Sequence, residues 1–449
     1  MPTVAKPAAE RKLFGTDGIR GPAGEILTAR LALGLGAAAT RRAAAYGARR
    51  PQVLVVRDTR ESGDMLEAAL AAGVTAAGGD ALLGGVVPTP AAPLLIGHHG
   101  FDLAAVISAS HNPYPDNGIK FFGGDGHKLS DEAEAQIESE LEAADPPAGR
   151  LGRVRDLHGC LEDYVRALQS RFGGLDLTGL NVLLDCANGA AYRAAPEIFG
   201  RLGAAVTTLA AEPDGRNIND GCGSTHVQVL AAAVPAGGHD VGFAFDGDAD
   251  RVLAVDRGGV VVDGDELLAL AARHLQARQR LPGGGVAVTV MTNYGFHTAM
   301  AESGIEVATT PVGDRHVLEE LIARGWALGG EQSGHIIELG FVPSGDGIAA
   351  ALLALEALEG RDLSERAGMR KLPQRLVNVR VGRREGVLGA PLVEEAVERE
   401  SAALRGRGRV LVRASGTEPV VRVMSEAPTE EEAEAACRRL AQAVRQAGG

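Results

Sequence analysis

The stretch Val241–Leu253, VGFAFDGDADRVL, is the most informative segment of this 449-residue sequence. Its first five residues are apolar or small and predict a buried strand. Three aspartates follow at every second position, Asp246, Asp248 and Asp250, separated only by a glycine and an alanine. A turn of such small residues can bring alternate carboxylates together, where they repel one another unless a cation lies between them. Carboxylate oxygens suit a hard divalent ion such as Mg²⁺.

The residue after this triplet, Arg251, carries a planar guanidinium that suits a phosphate oxygen. The segment therefore predicts a metal and a phosphate held at one place. A solvated acidic turn is disfavoured because the aspartates directly follow a buried strand. A calcium loop of the EF-hand type needs glycine sixth and glutamate twelfth, where this sequence has Arg251 and Arg257. A third interpretation, that Asp246 is itself a phosphate-accepting nucleophile, stays open.

Length and composition predict a soluble protein of several domains. A chain of 449 residues is too long for one hydrophobic core, so three or four domains are expected. Hydrophobic residues make up 45% and charged residues 23%, a balance typical of soluble globular proteins. No uninterrupted apolar run is long enough to span a membrane, and the first residues, MPTVAKPAAERK, lack the apolar centre of a signal peptide. We expect a cytoplasmic protein.

The net charge excludes some classes of partner, and the cysteines indicate the redox compartment. The net charge of −13 argues against binding to nucleic acid or to an anionic membrane. An anionic substrate would therefore need a locally basic site. The four cysteines lack the spacing of a metal site and predict buried thiols in a reducing compartment. They are Cys160, Cys186, Cys222 and Cys437.

The order of predicted elements indicates an α/β protein. Short apolar strands alternate with amphipathic helices over most of the chain, and the last part changes to an α+β order. We predict a disordered N-terminal extension, three α/β domains and a smaller α+β domain. Their predicted bounds are 1–12, 13–153, 154–256, 257–370 and 371–449.

The segment Ser108–Pro113, SASHNP, follows a predicted apolar strand. A serine in a turn at a strand end projects its hydroxyl from the sheet edge, so one interpretation is that Ser110 is a nucleophile or phosphate carrier, with His111 beside it. The segment alone favours the plainer interpretation, in which Ser110 or Asn112 only bonds its own backbone. Lys120 follows on a predicted returning strand, where it would either transfer protons and neutralise phosphate or be an ordinary exposed lysine.

The loop GGEQSGH, residues 329–335, also follows a short predicted strand. It brings Glu331, Ser333 and His335 into one turn. Glutamate and serine side chains suit contacts with sugar hydroxyls, and a plain polar turn is the alternative.

The segment Arg413–Pro419, RASGTEP, lies between two predicted strands and is followed by Arg422. Consecutive N–H groups, two hydroxyls and two arginines favour a phosphate site that needs no cation, with an incidental turn as the alternative. Near the N-terminus, FGTDGIRG offers Arg20 as another phosphate contact. The N–H groups of the RASGTEP turn belong to Ser415, Gly416 and Thr417.

Together these segments resemble the α-D-phosphohexomutase superfamily over nearly the whole chain, from Leu13 to the last helix. Single motifs of this kind are weak, whereas seven in the same order are specific. The resemblance implies three related α/β/α domains with mixed sheets and a smaller α+β C-terminal domain around a central cleft. The motifs are FGTDGIRG, SASHNPYPDNGIKFF, LDCANGAA, CGSTH, FDGDADR, GGEQSGH and RASGTEP.

The resemblance also implies a role for each candidate residue. Ser110 is the implied phosphoserine, and the aspartate triplet is implied to bind one Mg²⁺ together with its phosphate. Lys120 is implied to act as an acid or base, with His111, Arg20 and Arg251 in the same catalytic group. The implied substrate-binding residues are Glu331, Ser333, His335, Arg413, Ser415, Gly416, Thr417 and Arg422.

The implied activity is the interconversion of hexose 6-phosphates and 1-phosphates through a phosphoserine enzyme and a 1,6-bisphosphate. The segments GTDGIRG and CGSTH and the residue Gln332 favour the members that act on glucosamine phosphate, with glucosamine 1,6-bisphosphate as intermediate and activator. Mannose and glucose phosphates are the alternative substrates. Two other classes stay open, a phosphatase that uses Asp246 and a sugar-phosphate-binding protein without catalysis. The expected partner is the sugar phosphate, with a homodimer as a possible assembly.

Overall fold

The structure is a computed structural model that describes residues 13–15, 17–47, 50–141, 150–382, 386–414 and 420–448. The chain forms two compact units, Met1–Val290 with Ala308–Ala367 and Met291–Val307 with Gly368–Gly449. Within the described ranges, no helix has the length and apolar character needed to cross a membrane. The predicted extension over 1–12 lies outside these ranges.

The first sheet has six strands and mixed direction. Its strands are Ile19–Pro22 (β1), Gln52–Arg57 (β2), Asp80–Val86 (β3), Leu103–Ile107 (β4), Asp116–Gly123 (β5) and Val154–Asp156 (β6). They lie in the order β1-β5-β4-β2-β3-β6, with β5 antiparallel to both of its neighbours and the others parallel. The central strand β2 buries four successive side chains, so both faces of the sheet are covered. Its helices are Ala29–Ala45 (α1), Ser62–Ala76 (α2), Ala91–His99 (α3) and Asp131–Leu141 (α4).

The second sheet has five strands, again of mixed direction. They are Asn181–Asp185 (β7), Ala205–Leu209 (β8), Val241–Phe245 (β9), Val252–Asp256 (β10) and Val261–Val262 (β11). Their order is β11-β10-β9-β7-β8, and β10 runs antiparallel to β9. The accompanying helices are Cys160–Arg171 (α5), Ala191–Arg201 (α6) and Gln228–Gly237 (α7).

The third sheet has four strands and carries the GGEQSGH loop. The strands are Gly285–Thr289 (β12), Glu306–Thr310 (β13), Leu328–Gly330 (β14) and Ile336–Glu338 (β15). They lie in the order β13-β12-β14-β15, with β14 parallel to β12 and antiparallel to β15. The helices of this region are Gly264–Ala277 (α8), Tyr294–Glu302 (α9), Asp314–Arg324 (α10) and Gly347–Leu358 (α11).

The fourth sheet is smaller and wholly antiparallel, as the predicted α+β order requires. Its strands are Gln374–Arg380 (β16), Arg409–Ala414 (β17) and Val420–Glu426 (β18), in the order β16-β18-β17. Two helices, Pro391–Ala403 (α12) and Glu430–Gly448 (α13), contribute to its core. Three mixed α/β sheets and one antiparallel α+β sheet confirm the predicted fold class.

Two sheets extend past the domain boundaries predicted from the sequence. Strand β6 pairs with β3, so the first sheet continues to Asp156 rather than ending at residue 153. All three β6 residues are exposed, so no apolar pattern marks this strand. Strand β11 pairs with β10 and carries the second sheet to Val262, past the predicted boundary at 256. The turn at 257–260, taken as a boundary, is a hairpin turn within the sheet.

The four cysteines are free and buried, which confirms the prediction of buried thiols. Burial raises the pKa of the Cys160 thiol to about 11 and that of Cys222 to about 12, so both are held as neutral thiols.

One arrangement recurs in the first three sheets. A strand is followed by a short polar loop and then by an antiparallel return strand, in the pairs β4–β5, β9–β10 and β14–β15. Three predicted site segments occupy these connections: Ser108–Pro113, 246–251 and 331–335. The fourth predicted segment, 415–419, lies outside the described residues, between the antiparallel strands β17 and β18 in sequence. Loops at strand ends place polar side chains on a rigid support.

Candidate active site

The three aspartates of the FDGDADR segment lie in the hairpin loop between β9 and β10. Asp246, Asp248 and Asp250 are all buried, and one carboxylate oxygen of each lies within 4.8 Å of the others. Burial is incompatible with a solvated acidic turn, and a β-hairpin is incompatible with the helix-flanked EF-hand loop. The structure therefore brings the three carboxylates together as the sequence predicts.

This acidic triad is arranged to accept a cation. Among the described residues, Asp248 Oδ1 and Asp250 Oδ1 are buried oxygens without a hydrogen-bond partner. Burial, together with the charges of Asp250 and Asp248, raises the pKa of Asp246 well above its ordinary value. A divalent cation would occupy the unpaired oxygens and remove the repulsion, and an all-carboxylate donor set fits Mg²⁺.

Ser110 lies in the loop between β4 and β5, and its hydroxyl faces the same carboxylates. Ser110 Oγ donates a 2.5 Å hydrogen bond to Asp246 Oδ2, although the two residues are 136 positions apart. The residue is 1% exposed and has a left-handed φ of 52°. Serine hydroxyl and acidic triad thus lie within reach of one shared metal ion.

Basic groups border the loop Ser108–Pro113, here called the serine loop. His111 Nδ1 lies 3.4 Å from Ser110 Oγ and 3.2 Å from Arg251 Nη1. Burial, with the charges of Arg251 and Arg20, lowers the pKa of His111, so the imidazole is neutral near pH 7. Within the described part of the chain, Arg20 Nε and Arg251 Nε are buried and make no hydrogen bond. Two unpaired guanidinium N–H groups beside a hydroxyl suit an incoming phosphate.

Lys120 lies on the return strand β5 and is buried, which rules out an ordinary exposed lysine. Its Nζ donates to Asp248 Oδ2 at 2.8 Å and lies 3.8 Å from Asp17 and 3.9 Å from Asp250. Burial opposes the charge, but these three carboxylates raise the pKa of Lys120. A cationic ammonium is therefore fixed against the acidic triad.

The GGEQSGH loop packs directly on the hairpin of the acidic triad. Val252 donates its backbone N–H to the carbonyl of Gly334 at 3.1 Å. Gly334 has a φ of +91°, and a Cβ there would lie 2.0 Å from the Val252 carbonyl oxygen. Only glycine permits this approach, which joins the third sheet's loop to the second sheet's loop.

The three candidate residues of this loop occupy different environments. Glu331 is nearly buried, and its Oε1 accepts the N–H of Gly313 at 3.2 Å. His335 Nε2 accepts the N–H of Gly345 at 3.1 Å, so its proton lies on Nδ1, 3.7 Å from Asp250 Oδ2. Ser333 is exposed.

Five side chains of alternating charge form a buried to half-buried chain of ion pairs beside the site. In order they are Asp248, Lys120, Asp17, Lys128 and Asp314, here called the charge chain. Lys128 Nζ bonds Asp17 and lies 2.5 Å from Asp314 Oδ2. Burial opposes ionisation, yet Lys120, Lys128 and Arg20 hold the pKa of Asp17 well below its ordinary value. Lys128 thereby couples the first sheet to Asp314 at the start of α10.

Replacing Lys128 with methionine is expected to destabilise the folded protein by about 2 kcal/mol, because the half-buried carboxylates of Asp17 and Asp314 lose their common cation. Urea unfolding measures this free energy. Lys128→Arg keeps the charge and is the matched control. Equal stability of the methionine and arginine variants would contradict the role given to the charge chain.

In the C-terminal sheet, Arg413 and Arg422 lie directly opposite each other on β17 and β18. Burial and the charge of Arg422 lower the pKa of Arg413. Arg422 Nε is buried and, among the described residues, has no hydrogen-bond partner. Two arginines held face to face are suited to an anion. Three other candidates, Ser415, Gly416 and Thr417, lie outside the described residues.

Four consecutive segments of the chain match the domains of one protein family. Residues 11–148, 162–259 and 263–375 match the alpha/beta/alpha domains I, II and III of phosphoglucomutase/phosphomannomutase. Residues 376–443 match the C-terminal domain of the same family. The chain belongs to the phosphoglucomutase/phosphomannomutase family. The resemblance predicted from seven motifs is thereby confirmed.

Bacterial phosphoglucosamine mutases are among the relatives of this phosphohexomutase. The enzyme of Desulforudis audaxviator is 52% identical over 432 residues, which cover 93% of this chain and 94% of that protein. The enzyme of Moorella thermoacetica is 52% identical over 431 residues, covering 94% and 97%.

Solved structures of the family share the fold of this phosphohexomutase. A phosphoglucomutase/phosphomannomutase family protein from Burkholderia thailandensis is 26% identical and superposes with a TM-score of 0.80 over 97% of both chains. The N-acetylphosphoglucosamine mutase of Aspergillus fumigatus, solved in complex with GlcNAc-6P and magnesium, is 21% identical with a TM-score of 0.70. That match covers 99% of this chain and 97% of the fungal one.

Several residues around the site of this phosphohexomutase were not predicted. Thr89 Oγ1 donates to Asp248 Oδ2 at 2.6 Å, and its N–H donates to the Asp248 carbonyl. Asp17 lies in the quoted segment FGTDGIRG, where a carboxylate beside a glycine was a usable signal, whereas Asp314 lies in no quoted motif. Lys128 and Thr89 stand in no motif, so only the folded chain reveals them.

Proposed function

We propose that this phosphohexomutase is a phosphoglucosamine mutase, which interconverts glucosamine 6-phosphate and glucosamine 1-phosphate. Relatives that share about half of its residues over more than nine-tenths of the chain carry that name. The 1-phosphate would feed the synthesis of UDP-N-acetylglucosamine and of cell-wall precursors. The observation that carries the proposal is the 2.5 Å hydrogen bond between Ser110 Oγ and Asp246 at the acidic triad.

In the proposed reaction, phosphorylated Ser110 gives its phosphoryl group to the C1 hydroxyl of glucosamine 6-phosphate. The bond from phosphorus to Ser110 Oγ breaks while a bond from phosphorus to the sugar oxygen forms, which yields glucosamine 1,6-bisphosphate. The bisphosphate then turns end for end in the site. Ser110 Oγ takes the phosphoryl group from the C6 oxygen, and glucosamine 1-phosphate leaves.

Each transfer also moves a proton. The attacking hydroxyl loses one, and the oxygen that leaves phosphorus gains one. Lys120 is held as a cation by Asp17, Asp248 and Asp250 and is suited to protonate the leaving oxygen. Neutral His111, with Nδ1 3.4 Å from Ser110 Oγ, is suited to accept a proton. We assign acid and base roles to these two residues on that basis.

One Mg²⁺ per site is the metal that fits the donor set. Ser110, Asp246, Asp248 and Asp250 would hold it, since the triad offers buried unpaired oxygens beside the serine hydroxyl. When bound, it would neutralise negative charge on the transferring phosphoryl group. The magnesium in the fungal N-acetylphosphoglucosamine mutase of the same fold supports this choice.

The remaining residues would bind and orient the sugar phosphate. Arg20 and Arg251 offer unpaired N–H groups for the reacting phosphate. The substrate has to bind in two opposite orientations, so the contacts to its other end need to recognise phosphate and generic hydroxyls. We assign these contacts to Glu331, Ser333 and His335 in the third domain and to Arg413, Ser415, Gly416, Thr417 and Arg422 in the fourth.

A side-by-side assay with glucosamine, mannose and glucose 6-phosphates in the presence of Mg²⁺ tests the proposed substrate. We expect kcat/KM for glucosamine 6-phosphate to exceed the other two by about tenfold or more. ³¹P NMR of the 1-phosphates measures the products. A preference for mannose or glucose phosphate would contradict the sugar assignment and favour a phosphomannomutase or phosphoglucomutase.

The chemistry of the phosphoenzyme distinguishes a mutase from a phosphatase that uses Asp246. A phosphoserine is an ester, which survives acid and hydroxylamine, whereas an aspartyl phosphate is cleaved by hydroxylamine. We expect ³²P label introduced from the bisphosphate to resist hydroxylamine and to map to Ser110. Loss of the label would overturn the assignment. No turnover and no label would favour a binding protein without catalysis.

A homodimer stays a prediction, and light scattering coupled to size-exclusion chromatography tests it.

A further inference from the structure

Hydrogen bonds from one buried arginine hold the serine loop in place. Arg60, in the turn between β2 and α2, is 0% exposed. Its Nη2 donates to the carbonyls of Ser110 at 3.0 Å and Asn112 at 2.8 Å, and its Nη1 donates to those of Pro113 and Asp116. Its Nε donates to Asp58 Oδ2. All five guanidinium donors are thus used, four of them on one loop and its return strand.

A second side chain reaches the same carbonyls from the second domain. Asn219 Nδ2 donates to the carbonyl oxygen of Ser110 at 2.9 Å and to that of Asn112 at 3.1 Å. Asn219 is buried and has a left-handed φ of 58°, which asparagine tolerates better than most residues. The side chains of Arg60 and Asn219, here called the carbonyl clamp, therefore converge on two carbonyl oxygens.

The clamp holds Ser110 in a backbone conformation that is unfavourable for a residue other than glycine. Ser110 has a φ of 52°, a conformation that costs a non-glycine residue on the order of 1 kcal/mol or more. Its carbonyl is also enclosed, since a Cβ on Gly247 would lie 2.5 Å from that oxygen. Rotating the peptide to an ordinary φ would break the clamp and carry Ser110 Oγ away from Asp246.

We propose that Arg60 and Asn219 are positioning residues that fix the Ser110 hydroxyl on the acidic triad by holding the Ser110 and Asn112 carbonyls. The proposal rests on the proposed function, in which Ser110 carries the phosphoryl group. Neither residue touches the reacting atoms. Because Asn219 belongs to the domain of the acidic triad, the clamp also sets the register between the serine loop and that triad.

Asn219→Gly tests the clamp, because glycine keeps the left-handed backbone and removes only the amide. We expect kcat to fall about 10- to 100-fold with KM within about threefold of wild type, since misplacement of the reacting oxygen slows transfer rather than binding. Phosphorylation of Ser110 by glucosamine 1,6-bisphosphate, followed by intact-mass spectrometry, should slow by the same factor. Asn219→Asp should be at least as slow, because a carboxylate there faces two carbonyl oxygens.

Asn188→Gly is the matched control. Asn188 also has a left-handed φ, 47°, but its side chain bonds Glu212 and Asn217 rather than the serine loop. We expect its kcat to match wild type. Arg60→Lys is a second test, expected to slow phosphorylation further, although removing a guanidinium paired with buried Asp58 also weakens the fold.

Two results would overturn the clamp. Folded Asn219→Gly with wild-type kcat and phosphorylation rate would do so, as would equal losses in Asn219→Gly and Asn188→Gly. Wild-type protein that neither turns over nor becomes phosphorylated at Ser110 would overturn the proposed function and the clamp with it. If the wild type is phosphorylated and active while the variants overturn the clamp, the clamp fails alone and the proposed function stands.

Discussion

Replacing Ser110 with alanine is expected to reduce kcat for glucosamine 6-phosphate by about 10⁴-fold or more, because the phosphoryl carrier is lost. The rest of the site should stay intact, since the alanine removes only an oxygen that bonds Asp246. The substrate should therefore still bind, with an affinity within a few-fold of wild type. Steady-state turnover and isothermal titration with glucosamine 6-phosphate measure the two quantities separately.

A serine that lies far from the site provides the control for this change. Ser139 is exposed on helix α4 and bonds only a local carbonyl, so Ser139→Ala should keep wild-type turnover. Turnover of Ser110→Ala within tenfold of wild type would exclude Ser110 as the carrier. Loss of substrate binding together with turnover would assign Ser110 to binding rather than transfer.

Replacing Asp246 with asparagine is expected to have opposite effects on stability and activity. The buried carboxyl, repelled by Asp250 and Asp248, has a strongly raised pKa, so its charged form is costly in metal-free protein at pH 7.5. Asparagine keeps the shape and removes that charge. The unfolding temperature in EDTA should rise by about 2–4 °C, while kcat should fall about 10³-fold through loss of electrostatic stabilisation.

Calorimetry with and without Mg²⁺ measures the unfolding temperatures that test this prediction. The wild type should gain stability on adding Mg²⁺, because the ion binds only the folded triad, and Asp246→Asn should gain much less. Asp220→Asn, at an exposed position, is the control and should respond to Mg²⁺ as the wild type does. A lower unfolding temperature of Asp246→Asn in EDTA would contradict the repulsion on which the metal assignment depends.

The strands and loops that carry the site were predictable because their patterns are local. Strand β9 is a five-residue run without polar side chains, followed at once by small and acidic residues, and the equally apolar β4 is followed by the small residues of the serine loop. Helix Gly347–Leu358 has a pattern that is equally local, since its apolar stretch starts after the N-cap Asp346 and stops at a glycine-containing turn. Each of these signals lies within about a dozen residues.

The supports of the site were not predictable because they join distant positions. Lys128 bonds Asp17 and Asp314, which lie 111 and 186 residues away, and nothing around it in the sequence marks it as their common partner. An arginine is expected at the surface because it is rarely buried, yet Arg60 has all five of its donors satisfied inside the protein. Strand β6 was missed because its side chains are exposed, so only its backbone pairing places it in the sheet.

The central claim is that Ser110 and the acidic triad form one metal and phosphate site. A crystal structure of the Ser110-phosphorylated protein grown with Mn²⁺ tests it directly, because anomalous scattering locates the metal. We predict one Mn²⁺ per chain, about 2.1 Å from an oxygen of Asp246, Asp248, Asp250 and the phosphoserine. A metal bound elsewhere, or a phosphate on Asp246 rather than on Ser110, would contradict the account.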